Sequence, residues 1–477
     1  MDVALWLRIF GRLGAEDLVR ASAVCRDWRD VCDDDTLWTE LTRRDAPATL
    51  VARDEMGGDA RRAYFCNEAW RRGAFIRRPD PVLSAPCVAM AFHESSGDLV
   101  CVTADGVVSR TPLDADEPAP SSPPDPPRGA AHPSPTAPIT AAAFLDPSRP
   151  DDAAVCGDDR GRIRVLRSRR RPSRLVARYD GSVTALAALA RRDADDRTMV
   201  AMSTRKTIGA APGFGGAGNK GMLALLRVDE LDNDDDAFGD DDDDDKLEDD
   251  DELETNRTQN DHLGRRRRRL PPPRDAPPPL LGWRVTSDVV TTLVAAPAAA
   301  AGSFFAGDSG GAVSAYDAGE GQPRAVRAFV GQCACPVHQV TACGAVEGAV
   351  LASYRHETRL RGTGHARGCL VFDARTGNRE ATLAAGAGVG GGWGESPCAL
   401  HADDRKVVCV GGDVATVFDT RMWTATSVIR MGWGESTRAT AAAARGARFA
   451  AAGERGETRA FEADVGRRLS VAESRWG

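Results

Sequence analysis

The spacing of apolar residues in the first 41 positions predicts three short helices. Apolar side chains there recur every three or four residues, which is the period of one helix face. The aspartates at 33–35 separate the second series from the third and supply N-cap candidates. Three such helices bury too little apolar surface to be stable alone. The three series are Leu5, Ile9 and Leu13; Leu18, Ala21, Val24, Cys25, Trp28, Val31 and Cys32; and Leu37, Trp38 and Leu41.

The periodicity changes along the following stretch. The amphipathic sequence ARRAYFCNEAWRRGAF (60–75) predicts one further helix, within a helical linker that we assign to residues 46–80. From about residue 82 the pattern becomes short alternating runs separated by Gly and Asp, which is typical of strands and turns. An all-β region is therefore predicted over residues 81–477.

This all-β region contains internal repeats. GWGES occurs at 392–396 and again at 432–436, a period of 40. A strand opening recurs as ITA (139–141), VTA (183–185), VTT (290–292) and VTA (340–342), and each leads to a small-apolar strand and a Gly/Asp turn. Third strands end in an aromatic residue followed by Asp at 316–317, 372–373 and 418–419. Seven units begin near Val88, Ile139, Val183, Val290, Val340, Cys398 and Thr437.

A period of 40–50 residues with aromatic-Asp endings resembles the WD-repeat family of β-propellers. The chain departs from that family in having no Gly-His pair in any unit and no Trp-Asp at the end of a third strand. The predicted fold is thus a small all-α domain with a linker helix, followed by a seven-bladed, WD-repeat-like β-propeller.

Charge is distributed very unevenly. Residues 229–254 hold 18 acidic side chains and one lysine, a charge of −17, while the whole chain carries −8, so the remainder carries about +9. The acidic run, Arg265–Arg269 and the PPPRDAPPP that follows lack apolar content. Residues 229–280 are therefore predicted to be a disordered insert within the propeller, between the third and fourth strands of the third blade (222–228 and 281–287).

The 12 cysteines are expected to be thiols in a reducing compartment, the cytoplasm or the nucleus. No signal peptide or membrane-length apolar run is apparent, and several cysteines lie in predicted strands, where a thiol behaves as a small core hydrophobe. Cys333, Cys335 and His338 are the nearest approach to a metal cluster, but a second ligand pair at zinc-like spacing is missing. We predict neither a metal nor a cofactor.

Two motifs resemble known functional signals, but each also has a simpler structural interpretation. GDSGG (307–311) resembles the nucleophile loop of trypsin-like proteases, yet no His motif of that family is present and GDDRG (157–161) aligns with it as the same turn in another blade. The run Arg265–Arg269 is either a nuclear import signal or a solvated charge run. It lacks interleaved aromatic residues for base stacking, so nucleic-acid binding is not expected.

Residues 1–41 are similar to the F-box motif along nearly their whole length, and we assign the F-box domain to residues 1–45. Ile9-Phe10, Asp17-Leu18, Val24-Cys25-Arg26, Trp28-Arg29 and Leu37-Trp38 match the family pattern in order and spacing, although the usual opening Leu-Pro is missing. The stretch 64–75 looks like the linker helix of F-box/WD-repeat proteins. The resemblance implies that the adaptor-binding residues are Leu5, Ile9, Phe10, Leu18, Val24, Cys25, Trp28, Leu37 and Trp38.

By this resemblance the chain is a non-catalytic substrate receptor of a Skp–cullin–F-box ubiquitin ligase. The F-box would dock on the Skp-family adaptor, and through it on a cullin, while the propeller holds a protein substrate. Basic residues in turns between second and third strands would suit an acidic or phosphorylated substrate, although an arginine-rich surface is the simpler explanation. The alternative is a propeller scaffold that joins no ligase. The candidate substrate-binding residues are Arg160, Arg205, Lys206, Arg355, Arg359, Arg361 and Arg455.

Overall fold

An N-terminal group of helices is followed by seven small β-sheets. The computed structural model describes residues 3–45, 49–113, 137–146, 150, 153–167, 173–179, 181–192, 198–207, 219–228, 280–286, 288–296, 302–319, 321–329, 335–343, 348–354, 358–360, 364–366, 369–383, 399–433 and 437–465. The predicted insert thus lies outside the described residues, apart from Leu280. The helices are α1 (Val3–Phe10), α2 (Ala15–Ser22), α3 (Arg26–Cys32), α4 (Asp35–Asp45) and α5 (Ala60–Arg72), with a 3-10 turn at Asp54–Met56.

The second predicted helix is in fact two helices, because the chain is extended at Cys25. The Ser22 hydroxyl donates to the Val19 carbonyl (2.7 Å), and the Arg29 Nε donates to the Ser22 carbonyl (3.3 Å). Side-chain donors therefore bond to backbone carbonyl groups where α2 ends. The predicted N-cap is confirmed at Asp34, whose carboxylate accepts from the Thr36 N–H at 2.8 Å.

Helix α5 ends earlier than the predicted helical linker, and the chain then forms a strand. Strand β1 (Phe75–Arg77) pairs antiparallel with β29 (Thr458–Ala463) and becomes the outermost strand of the last blade. The stretch 46–80 therefore already contributes to the propeller. The helix stops because Gly73 adopts a left-handed conformation (φ 63°), which favours glycine.

The remaining strands form seven blades in chain order. Blade 1 contains β2 (Cys87–Phe92), β3 (Leu99–Thr103) and β4 (Val108–Thr111). Blade 2 contains β5 (Ile139–Phe144), β6 (Ala153–Asp158), β7 (Arg162–Arg167) and β8 (Arg174–Arg178). Blade 3 contains β9 (Ser182–Arg192), β10 (Thr198–Thr207), β11 (Asn219–Val228) and β12 (Leu280–Thr286). The pairing of β11 with β12 confirms that residues 229–279 separate the third and fourth strands of blade 3.

Blades 4 to 7 follow the same plan, with one addition. Blade 4 contains β13 (Val290–Ala295), β14 (Ser303–Asp308), β15 (Val313–Asp317) and β16 (Arg324–Phe329). Blade 5 contains β17 (Val337–Cys343), β18 (Ala349–Tyr354), β21 (Cys369–Asp373) and β22 (Arg379–Leu383), with an extra hairpin of β19 (Thr358–Leu360) and β20 (Gly364–Ala366). Blade 6 contains β23 (Ala399–Ala402), β24 (Lys406–Gly411), β25 (Val414–Asp419) and β26 (Thr424–Arg430). Blade 7 contains β27 (Ala439–Arg445), β28 (Arg448–Gly453), β29 and β1.

The first strands of the seven blades contact one another in a closed ring, from β2 through β27 and back to β2. The predicted fold class and the seven predicted units are therefore confirmed. Apolar clusters fill the spaces between neighbouring blades, such as the cluster of Val155, Ile163 and Val200 between blades 2 and 3. The core is thus a series of layers between sheets, each made by the alternating side chains of two blades.

The recurring threonine of the strand openings joins neighbouring blades. Thr140, Thr184 and Thr291 each lie at a β-bulge in the first strand of their blade. Their hydroxyls donate to the carbonyls of Val183, Val290 and Val337 in the next blade, each at 2.6 Å. In blade 5 the bulge falls at His338, three residues before Thr341 of the VTA at 340–342, because β17 begins at Val337. That VTA is therefore not the structural equivalent of the other openings.

The aromatic-Asp endings close the third strands. The carboxylates of Asp317, Asp373 and Asp419 each accept from the N–H two residues ahead, at 2.9, 2.7 and 3.0 Å. An aspartate that bonds its own following backbone makes a tight turn toward the fourth strand. The aromatic residue before it packs between blades, as Phe372 does against Phe329 with ring centroids 5.8 Å apart.

The helices and the propeller share one apolar core at blades 6 and 7. Trp70 of α5 is fully buried, and its indole Nε1 donates to the carbonyl of Gly446 in the β27–β28 turn at 2.8 Å. Its ring contacts Phe75 and Phe449 with centroids 4.8 and 6.5 Å apart. The fully buried Lys406 lies over the same ring, with Nζ 5.2 Å from the centroid.

Lys406 joins this junction through two further contacts. Its Nζ donates to the Leu50 carbonyl at 3.1 Å and to the Asp403 carboxylate at 2.5 Å. Burial would raise the pKa of the Asp403 carboxyl, but Lys406 nearby holds it below its usual value. His401 lies 3.9 Å from Asp403 and stays neutral, because burial lowers its pKa to about 4. Lys406 therefore supplies the positive charge that balances Asp403.

Replacing Trp70 with alanine should destabilise the whole chain. Trp70→Ala leaves a cavity between α5 and blade 7 and removes the bond to Gly446, so we expect a loss of about 3–5 kcal/mol in the free energy of unfolding. Urea unfolding measures it. The control is Met422→Ala, because Met422 is 69% exposed and should cost less than about 0.5 kcal/mol. A loss below about 1 kcal/mol for Trp70→Ala would show that the junction does not couple the two parts.

Candidate functional site

Helices α1–α4 close around a small core and leave several apolar side chains outside it. Phe10, Leu18, Leu37 and Trp38 are at most 5% exposed. Trp38 is fixed by its Nε1, which donates to the Cys32 carbonyl at 2.7 Å, and by the Arg61 guanidinium 5.5 Å from its ring centroid. These four predicted adaptor-binding residues therefore lie in the core of the helical unit.

The remaining predicted adaptor-binding residues lie at or near the surface. Leu5 is 56% exposed, Ile9 is 45% exposed and Val24 is 62% exposed, and Cys25 is exposed beside Val24. Leu5 and Ile9 are four residues apart, so they share one side of α1. Val24 lies in the short connection between α2 and α3. This small helical unit therefore exposes three large apolar side chains to solvent.

Trp28 connects the core to this exposed region. It is partly buried and contacts Trp6 and Phe10, with ring centroids 5.2 and 5.3 Å away. Such aromatic pairs add to the stability that burial provides. The sequence pattern overlooked Trp6, because it falls outside the Leu5–Ile9–Leu13 stripe. It also overlooked Val3, which is 55% exposed at the first position of α1.

Helix α5 fixes the direction in which this helical unit faces. Tyr64 and Phe65 pack on Trp38 with ring centroids 5.7 and 5.5 Å apart, so α5 is joined to α4. Its contacts on the propeller include the β27–β28 turn, Lys406 at the start of β24 and strand β26, where the Ser427 hydroxyl donates to the Trp70 carbonyl. The first two places lie at connections between a first and a second strand. Because neighbouring strands are antiparallel, connections between second and third strands lie at the opposite end of the propeller.

Three of the candidate substrate-binding residues lie at that opposite end with their side chains described. Arg160 lies in the β6–β7 turn, Arg455 in the β28–β29 turn, and Arg205 near the end of β10; all three are exposed. Acidic neighbours accompany two of them, since Asp159 and Glu454 are exposed as well. In blades 2 and 7 the turns are therefore mixed in charge.

The other candidates at this end are described less completely. Lys206 is paired with Lys220 across β10 and β11, and Arg359 is paired with His365 across the extra hairpin of blade 5. Their backbones are described, but their side chains are not. Arg355 and Arg361 lie outside the described residues. The sequence repeats do not predict the β19–β20 hairpin, which adds to the second-to-third connection of one blade only.

The GDSGG sequence is a turn, as the sequence comparison with GDDRG predicts. The Asp308 carboxylate accepts from the N–H groups of Gly310 and Ala312 at 3.0 and 2.8 Å, as Asp158 does from Arg160 and Arg162 at 3.0 and 2.9 Å. Gly311 and Gly161 adopt positive φ (90° and 77°), which explains the glycine in each turn. Ser309 accepts a bond from the Val289 N–H at 3.2 Å, so its hydroxyl helps hold the turn.

The described part of the chain contains ten cysteines, which form no disulfide with one another, and eight of them are buried. No group of three or more His, Cys, Asp or Glu side chains among these residues is placed to hold a metal ion, and Cys333 is not among them. None of the described helices combines the length and the apolar character needed to span a bilayer.

Comparisons with known proteins relate the chain, or part of it, to what is already described. The family described as F-box-like matches residues 3–44, which coincide with α1–α4. No curated protein sequence matches the chain. Among solved structures, the chain is similar to Raptor from Chaetomium thermophilum, with 11% identity over 82% of this chain and a TM-score of 0.48; it spans 29% of that protein's chain. The chain thus consists of an F-box-like domain followed by a seven-bladed propeller, an architecture typical of non-catalytic adaptor and receptor proteins.

Proposed function

We propose that this chain is the substrate receptor of a ubiquitin ligase of the Skp–cullin–F-box type. The F-box-like domain would dock on the Skp-family adaptor, and the propeller would hold the target protein. The observation that carries the proposal is the exposure of Leu5, Ile9 and Val24 on a helical unit whose core is otherwise closed. F-box domains in general bind adaptors of this family, and burying each of these side chains would contribute roughly 1.5–3 kcal/mol to the complex.

The rigid junction supports the same role. A receptor performs no bond chemistry; it holds the target near a charged enzyme, so its contribution is proximity. Proximity requires a fixed distance between the docking surface and the target. Helix α5 provides it, because nine of its thirteen residues are buried and it contacts both α4 and the propeller. The proposal places the chain in the cytoplasm or the nucleus.

The docking prediction concerns Leu5 and Ile9. Leu5→Ser combined with Ile9→Ser should weaken binding of a purified Skp-family adaptor by at least 100-fold, since two buried apolar contacts are lost. Isothermal titration calorimetry measures the affinity, and the unfolding temperature should stay within a few degrees of the parent protein. The matched control is Val326→Ser, since Val326 is 63% exposed on β16 and should leave the affinity unchanged.

Two results would contradict this prediction. If the unmodified chain does not bind the adaptor, the propeller is a scaffold outside the ligase and the proposal fails. If the double variant binds as the parent does, the docking surface lies elsewhere. Phe10→Ala is not a suitable docking variant, because Phe10 is 2% exposed and its truncation should instead cost about 3–5 kcal/mol of stability.

The target is proposed to be an acidic or phosphorylated segment at the end of the propeller opposite the helices. Arg205 is exposed there, and the extra hairpin of blade 5 adds Arg359 to the same end. Guanidinium groups bind carboxylates and phosphates through paired hydrogen bonds, which is why arginine suits such a partner. This role for the basic residues is a proposal about the substrate class, and it is independent of adaptor docking.

The substrate prediction is tested by charge reversal. Arg355→Glu combined with Arg359→Glu should reduce the recovery of targets at least 10-fold in proximity labelling with the proteasome inhibited, because each change replaces attraction by repulsion. Arg324→Glu is the control, since Arg324 is exposed on the outer strand β16 of blade 4. Adaptor binding should be unaffected in both variants. Full recovery of every target with the double variant would overturn the basic-face hypothesis.

A further inference from the structure

The third strand of blade 2 carries an arginine on the side that faces blade 1. Ile163 and Val165 pack in the apolar cluster between blades 2 and 3, whereas Leu166 packs in the cluster between blades 1 and 2. Successive side chains of a strand point to opposite faces. Arg164 therefore shares the side of Leu166. The residue across from it in β8 is Leu175, which is 50% exposed, so this side of the blade rim opens to solvent.

The Arg164 guanidinium is only partly satisfied. Its Nη1 donates to the Ser173 hydroxyl at 3.4 Å, while its Nε is buried and has no hydrogen-bond partner. Among the residues that the structure describes, no carboxylate forms an ion pair with Arg164. The nearby Asp158 carboxylate is already bonded to the Arg162 Nε at 2.6 Å. The Nε–H points to the opposite side of the guanidinium from Nη1, so it does not face Ser173. The positive charge beside Ser173 therefore has no described carboxylate to balance it, and guanidinium groups bind anions of this kind strongly.

Ser173, the partner of Arg164, follows a strongly basic sequence. Residues 169–173 read RRRPS, and the stretch 160–178 contains nine arginines and no acid. Ser173 is partly exposed and lies directly before β8. Kinases select substrates by charge patterns around the acceptor, and arginines two and three residues before a serine suit an enzyme with an acidic substrate groove.

We propose that Ser173 is a phosphorylation site whose phosphate is held by Arg164. The Ser173 oxygen would attack the γ-phosphorus of ATP bound to a basophilic protein kinase. The new bond joins the Ser173 oxygen to that phosphorus, the bond to the β–γ bridging oxygen breaks, ADP leaves, and the hydroxyl proton passes to the kinase. The product carries about −1.5 to −2 charge and three strong acceptor oxygens at neutral pH.

The geometry explains why Arg164 is suited to this anion. Its Nη1 and Nη2 are the two donors at the end of one planar group, and Nη1 already points at the Ser173 oxygen. A guanidinium binds phosphate best through two parallel N–H bonds. The bound phosphate would tie the start of β8 to the middle of β7 and would lower the charge of the most basic stretch of the propeller. This inference does not depend on the ubiquitin-ligase proposal.

The first experiment tests modification of the folded protein. The purified full chain is incubated with a basophilic protein kinase and ATP, and phosphopeptides are mapped by mass spectrometry. Ser173 should be the main site in the stretch 160–178, and Ser173→Ala should abolish labelling there. The control is Ser168→Ala, which removes the other serine of the stretch and should leave labelling intact. Absence of phosphate from Ser173 when other residues are labelled would overturn the assignment.

The second experiment tests the role of Arg164 with phosphoserine installed at position 173 during translation. Phosphorus NMR follows the second ionisation of the phosphate against pH. An adjacent guanidinium favours the dianion, so its pKa should lie about one pH unit below the value of about 6 for free phosphoserine. Arg164→Gln should restore the free value, while Arg178→Gln, at an exposed arginine of β8, should keep the lowered one. Equal values for the parent and Arg164→Gln would show that Arg164 does not hold the phosphate.

Discussion

The pairing of β1 with β29 is the constraint on which the rest of the structure depends. It brings residues 75–77 and 458–463 together, so one sheet contains both ends of the propeller. Backbone bonds extend the pairing at each end, from the Arg78 N–H to the Ala460 carbonyl and from the Asp464 N–H to the Ala74 carbonyl. A closed ring leaves no first or last blade with an open face. Because β1 follows α5 after a two-residue turn, the same pairing also positions the helix.

The contacts around Trp70 and Lys406 fix the orientation of the F-box-like domain on the closed propeller. A buried ammonium group is tolerated only when it has partners, and Lys406 has the Asp403 carboxylate, the Leu50 carbonyl and the Trp70 ring. These contacts come from the propeller, the connection before α5 and α5 itself. The exposed apolar side chains of α1 and the turns at the opposite end of the propeller are therefore parts of one body. That arrangement is what a receptor requires.

Much of the fold could be predicted from residue patterns, since they report local geometry. The seven first strands, the third-strand aspartates and the position of the insert within blade 3 all follow from period, turn residues and alternation. Residue patterns were less reliable where the same pattern of residues can arise from two different structures. The VTA at 340–342 matches the other openings in letters, yet the bulge of β17 falls at His338, because strand register is set by pairing with β18. The extended conformation at Cys25 likewise divides one apolar series between two helices.

The sequence by itself determined which residues are apolar, how they repeat, and hence that a helical unit precedes seven repeats of short strands. It could not decide which apolar residues of the F-box-like region are core and which are surface. Ile9 and Phe10 are adjacent apolar residues of α1, yet Phe10 is buried and Ile9 is exposed, because only the packing of α1 against α3 distinguishes the two sides of the helix. In the same way, nothing in the order of residues relates Trp70 to Gly446 or Arg164 to Ser173. Those contacts exist because folding brings the blades and helices together in space. A hydrogen-bond donor that is buried there without a partner costs free energy.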